Sequence, residues 1–160
     1  MVGKVRPLEE AVKLIPDGAV VAVNSSSGLL CPDAVLQALG ERFDREGSPK
    51  GLTTVHPIAA GDLFGTKGVD HIAKPGMISR IIGGSYPSGP TNAEPPLIWQ
   101  RILAEDVAAW NIPSGIVFDM LREGAAQYTY GRQVAGSTTK FSEGQHFRRY
   151  FPEHSSIPQE

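Results

Sequence analysis

Three stretches of small residues carry the chemistry open to this chain, because glycine and serine let backbone N–H groups approach a ligand closely. The first is Asn24-Ser25-Ser26-Ser27-Gly28, which follows five small apolar residues (19–23) and leads into Pro32-Asp33. An apolar strand opening through such a loop onto a helix N-terminus gathers donors suited to an anionic or carbonyl oxygen. An ordinary strand-to-helix connection has the same appearance, and the loop contains neither G-x-G-x-x-G nor G-K-[ST]. The second stretch is the glycine-punctuated loop 57–68, with Asp62 and Lys67 as its polar members. The third is Gly83-Gly84-Ser85-Tyr86-Pro87-Ser88-Gly89-Pro90.

Reactive side chains are sparse. Cys31 stands beside a helix start, where a thiolate is stabilised, yet an isolated cysteine reads more simply as a small buried residue. His56 and His71 lack metal-ligand spacing such as H-E-x-x-H and read as hydrogen-bonded structural histidines, so no metal site is expected. Glu94, followed by Pro95-Pro96, reads as a solvated loop charge rather than a nucleophile, and Trp99 and Trp110 read as core.

The elements that must position these loops follow from periodicity. Apolar residues at Leu8, Ala11, Val12 and Ile15 predict a short helix over 8–15, stopped by Pro16-Asp17-Gly18. The apolar run 19–23 predicts a strand buried on both faces. A helix is expected over 33–46, strands over 52–56 and 79–82, and one or two helical turns over 69–74. Next come a helix over 97–103, a strand over 107–110 and a helix over 113–122. This alternation predicts an α/β fold, an open, mostly parallel sheet with helices on both faces and ligands beyond the carboxyl ends of the strands. The domain is expected to span 1–124. Residues 125–160 lack a helical period and read as an irregular tail, ending in an aromatic and basic cluster around His146 to Pro152.

Composition narrows the class. The chain has 160 residues, 41% hydrophobic, with a net charge of −2, which favours neither nucleic acid nor an anionic membrane as partner. A single cysteine excludes an intrachain disulfide framework and fits a reducing, cytoplasmic compartment. No run approaches the roughly 20 apolar residues that span a bilayer.

Three pieces in order, with a fourth that matches in kind, resemble the class I CoA-transferases, in their propionate/acetate and 3-ketoacid branch. They are Asp17-Gly18 with the strand, loop and Pro32-Asp33; the helix-turn-strand segment from Leu36 to Thr53; the run from Gly68 to Gly84; and Asn111-Ile112-Pro113-Ser114-Gly115. The run Gly68-Val69-Asp70-His71-Ile72-Ala73-Lys74-Pro75-Gly76 and onward to Gly84 is the most specific. Departures are Asn24-Ser25-Ser26 where the family has Gly-Gly-Phe or a close variant, Leu30 where it has glycine, and Ser85-Tyr86 where it has histidine and an aromatic. The tail from Ala125 matches nothing in the family. The resemblance implies the α-type (N-terminal) half of an acyl-CoA:carboxylate CoA-transferase. It implies coenzyme A thioester as substrate, a short carboxylic acid as co-substrate, no permanently bound cofactor and an oligomeric assembly. It also implies that the nucleophilic glutamate lies on a β-type half or subunit outside this chain, so no catalytic residue is expected here. Asn24, Ser25, Ser26, Gly28, Gly83, Gly84 and Ser85 become the expected substrate and oxyanion loops. Two other readings remain open at this level: a truncated or diverged homologue acting as a binding or assembly module, and a sugar-phosphate isomerase of the related α/β superfamily.

Overall fold

The computed structural model describes residues 5–62, 64–88 and 95–130. The chain divides into two compact units, Met1–Ile112 and Pro113–Glu160. The first contains four strands, β1 (Val20–Ala22), β2 (Leu52–His56), β3 (Ile78–Gly83) and β4 (Ala108–Asn111). They form one sheet in the order β1-β2-β3-β4, with every neighbouring pair parallel. Parallel neighbours need crossovers, and these are α2 (Asp33–Glu46), a 3-10 turn (Gly68–His71) and α3 (Leu97–Leu103). The 3-10 turn packs against both α2 and α3. Through these contacts the three crossovers form one continuous layer. The short helix α1 (Leu8–Ala11) continues as a second 3-10 turn, Val12–Leu14, before β1.

The core lies between this layer and the sheet. Leu36 and Leu39 from α2 meet Leu52, Ile78 and Ile81 from the strands, with Val69, Ile72 and Ile98 closing the layer. In β3 both Ile78 and Ile81 reach this core, a spacing of three rather than two. A register shift between Leu52 and Thr53 explains it, since Leu52 pairs with Ile78 while Thr53 pairs with Arg80. The extra residue, Ser79, reverses the alternation of side chains, and its Oγ donates to the carbonyl oxygens of Gly51 and Leu52 at 3.0 and 3.2 Å.

Two expectations are corrected here. The first strand is not buried on both faces: β1 is an edge strand whose Val20 is 44% exposed. Small apolar residues run through it because one side meets the core through Val21 while the other meets none. The second unit holds α4, Ser114–Tyr130, which continues past the expected end at residue 122 and past the expected boundary at 124. Ala125 and Ala126 have high helix propensity, which outlasts the apolar period. Residues 131–160, most of the predicted tail, lie outside the described residues, as do Gly89, Pro90 and Glu94.

Candidate functional site

All three predicted loops leave the carboxyl ends of adjacent parallel strands, so they meet along one edge of the sheet. Their order follows the strands. The loop after β2 lies in the middle and is tied to both others. On one side the Ser25 hydroxyl donates to Ala59 O at 2.9 Å, Gly61 N donates to Ser27 O at 3.0 Å, and Ser27 bridges Ala60. On the other, Ala59 N donates to Ser85 Oγ at 2.9 Å and Gly84 N donates to His56 O at 2.9 Å. The loops 24–28 and 83–88 therefore flank the middle loop rather than lying side by side, the arrangement expected of two small-residue loops leaving one edge of a parallel sheet. Strand order places β2 between them.

The wall made by residues 83–88 is firmly held. Tyr86 OH donates to Trp110 O at 2.9 Å, and Trp99 Nε1 donates to Pro87 O at 2.7 Å. The Tyr86 and Trp99 rings meet edge to face with centroids 5.6 Å apart. Burial pushes the Tyr86 phenol up to about 12, so it donates as a neutral hydroxyl. Trp99 packs against the core as expected, while Trp110 carries the Arg80 guanidinium 4.9 Å from its ring centroid.

The middle loop folds back on itself. Val69 N donates to Ala60 O and Asp62 N to Thr66 O, both at 3.0 Å. Asp62 Oδ1 accepts from Phe64 N at 2.9 Å and Thr66 N at 3.2 Å, and these bonds hold its carboxyl below the usual range. Asp33, at the first turn of α2, reaches the far end of the loop: its Oδ1 accepts from Gly68 N at 2.7 Å and lies 3.3 Å from His71 Nε2. Gly68 has φ +57°, and a Cβ there would come within 2.1 Å of Ala60 O, so glycine is obligatory.

Among the expected site residues, several are committed to the scaffold. Ser25 and Ser85 hydroxyls are engaged by Ala59, the Ser26 amide donates to Leu29 O at 2.9 Å, and the Gly84 amide is engaged by His56. Gly28 lies against Asp62, whose Oδ2 a Cβ would approach within 1.9 Å. Gly83 ends β3 in register with His56 and accepts from Ile112 N at 2.8 Å. Asn24 is exposed, and its side chain has no hydrogen-bond partner among the described residues, nor do the backbone amides of Asn24, Ser25 and Ser85.

Two further titratable groups, Cys31 and His56, adjoin the loops in the chain. Cys31 is only partly buried, and desolvation, with Asp33 and Asp62 adding to it, raises its thiol pKa, the opposite of an activated nucleophile. His56 is 2% exposed and neither ring nitrogen has a hydrogen-bond partner among the described residues, so there it is not the hydrogen-bonded histidine its sequence context suggests. Burial lowers its pKa from 6.5 to about 4, which keeps it neutral near pH 7. No group of three or more potential metal ligands is gathered among the described residues. A cleft of about 560 Å³ lies between α2, the 3-10 turn Gly68–His71 and α3, reaching the middle loop only through Lys67, and is lined also by Phe43, His71, Lys74, Leu97 and Arg101. Sequence periodicity gave no signal for it, because it arises where crossovers meet. No helix among the described residues is long and apolar enough to cross a membrane.

Comparison with known proteins follows the same lines. The chain is 28% identical over 121 residues to the acetate CoA-transferase YdiF of Escherichia coli K12, a match covering 74% of this chain and 21% of that protein. It is 28% identical over 123 residues to the caffeate CoA-transferase of Acetobacterium woodii, again covering 74% of this chain and 21% of that protein. Among solved structures, the thioester complex with CoA of the acyl-CoA transferase YdiF from E. coli O157:H7 superposes with a TM-score of 0.66 at 23% identity, covering 76% of this chain and 24% of that one. A cysteine-to-serine variant of the decarboxylase AibA/AibB gives 0.55 at 21% identity, over 76% and 43% of the two chains. No protein-family model matches the chain. The chain is thus similar over about three quarters of its length to CoA-transferases, the resemblance its sequence pieces suggest, and shares the α/β fold of a solved acyl-CoA transferase. It spans about a fifth of the length of the curated relatives it matches.

Proposed function

We propose that this chain is the α-type half of an acyl-CoA:carboxylate CoA-transferase, moving CoA between short carboxylic acids such as acetate, propionate or a 3-ketoacid. The observation that carries the reading is its relation to two CoA-transferases over three quarters of its length. Each of these relatives is about five times longer than the matched segment, which supports a chain that works with a companion β-type half in an oligomer. The companion's glutamate carboxylate attacks the thioester carbonyl and expels CoA thiolate. The thiolate then attacks the acyl-glutamyl anhydride, releasing the carboxylate and leaving a glutamyl-CoA thioester. Each addition passes through a tetrahedral oxyanion. The backbone amides of Asn24, Ser25 and Ser85, unpartnered among the described residues, and the Asn24 side chain are the donors this half offers to it, while Ser26, Gly28, Gly83 and Gly84 shape the loops that present them. Coenzyme A enters as substrate and no resident cofactor takes part. A cytoplasmic location fits the single cysteine and the metabolic role.

The test incubates the chain, with and without the companion half, with acetyl-CoA and propionate. Transfer is expected only with both halves, with a thioester trapped on the companion. Turnover or a trapped thioester on this chain alone, at Glu94 for example, would contradict the division of roles. A second reading is that the chain is a diverged, non-catalytic assembly module. It is favoured by the engagement of the Ser25 and Ser85 hydroxyls within the loop scaffold, and it predicts assembly without turnover.

A further inference from the structure

Two neighbouring loop tips present large apolar side chains to solvent. Leu29 and Leu30 are 74% and 89% exposed, and Phe64 is 77% exposed. They belong to one place on the surface, because Gly28 lies directly against Asp62 and the two loops are bonded through Ser27, Ala60 and Gly61. Each tip is held in its own turn. Ser26 and Leu29 exchange N–H to carbonyl bonds of 2.9 and 3.0 Å, and Asp62 fixes the amide of Phe64. The backbone that carries Leu29 and Phe64 is therefore held in place.

Leu30 is the sharpest of the three. It holds φ +56°, a left-handed conformation that costs a leucine more than a glycine. In the free chain that conformation leaves an apolar side chain 89% exposed to water. Nothing within the described residues offsets either disadvantage; burial against another surface offsets the second and fits the rigidity of the turn. The patch adjoins the loops of the candidate site, and about four fifths of the length of the curated relatives has no counterpart in this chain.

We propose that Leu29, Leu30 and Phe64 form the seat of the companion half, a protein surface that buries all three at the carboxyl edge of the sheet. This rests on the functional reading above and adds to it the surface through which the two halves assemble.

The full chain is titrated with the companion half by calorimetry, and its own thermal midpoint is measured alone, for the wild type and three variants. Leu30→Gly relieves the backbone and removes the side chain: the midpoint of the free chain is expected to rise while association weakens about tenfold or more. Phe64→Ser is expected to leave the midpoint unchanged and weaken association to a similar degree. Leu103→Ser, an exposed leucine at the end of α3, is expected to change neither. If the wild type binds the companion and both loop variants bind as tightly, the seat is wrong while the functional reading stands. If the wild type does not bind the companion, both fall. If the wild type self-associates through this patch and Leu30→Gly abolishes that, a second copy of the chain is the occupant and the assignment is overturned.

Discussion

His56 illustrates how one residue sets a pH response. A neutral imidazole carries one donor and one acceptor, and burying both unpaired is costly. Protonating it there is costlier, which is why its pKa falls to about 4. The unfolded chain takes up the proton near 6.5, so between these values the unfolded state binds more protons and is favoured. Stability from this group is thus fully present above about pH 6.5 and is lost as pH falls toward 4, by at most about 3 kcal/mol. Urea unfolding at pH 7.0 and 4.5 should show the drop in the wild type and a much smaller one in His56→Leu. An equal drop in both would place the titration elsewhere. Asp17 and Asp62, whose carboxyls are lowered chiefly by hydrogen bonds, add a further loss below about pH 4 in the same direction.

At the scale of elements, the packing of the N-terminal segment on α2 depends on one side chain. Arg42 is buried, and its Nη1 donates to Val12 O at 2.7 Å and Ile15 O at 2.9 Å, the carbonyls of the first residue of the 3-10 turn Val12–Leu14 and of the residue after it. Its Nε meets Glu46 at 3.0 Å. Replacing it with leucine leaves Ile15 O without this donor and Val12 O with only the Ile15 amide at 3.3 Å, and a loss of about 2 kcal/mol is expected in chemical denaturation. An unchanged midpoint would mean that water satisfies the turn as well. Gly68→Ala should be at least as damaging, because the added carbon meets backbone on a φ that alanine resists. These elements also show what the sequence made legible. The spans 33–46, 52–56 and 97–103 emerge as read, since long amphipathic or apolar runs state their period directly. Arg42 gave no such signal, because its partners lie 27 and 30 residues away and are carbonyls, which every residue has. The loops of the candidate site were legible as loops, but their order across the edge depends on strand order, which local pattern does not encode. Leu30 was legible only as a departure from the family glycine; the φ of +56° supplies its physical meaning.

At the scale of the whole molecule, the sheet ends on β1, three residues long with Val20 exposed, beside loops whose apolar tips face water. A companion that binds only the folded chain must stabilise it by mass action, whatever surface it uses. At a free companion concentration 100 times its dissociation constant the gain is about 2.7 kcal/mol. The thermal midpoint of this chain should therefore climb with companion concentration and level off only logarithmically, while an unrelated protein at equal concentration leaves it unchanged. Turnover should climb over the lower part of the same range, since the site is completed by the same event, and then saturate as occupancy does. Turnover that appears without any shift in the midpoint would mean that the companion works without binding the native chain. A shift without turnover would instead identify the chain as an assembly module that keeps the fold of its relatives and has lost their chemistry.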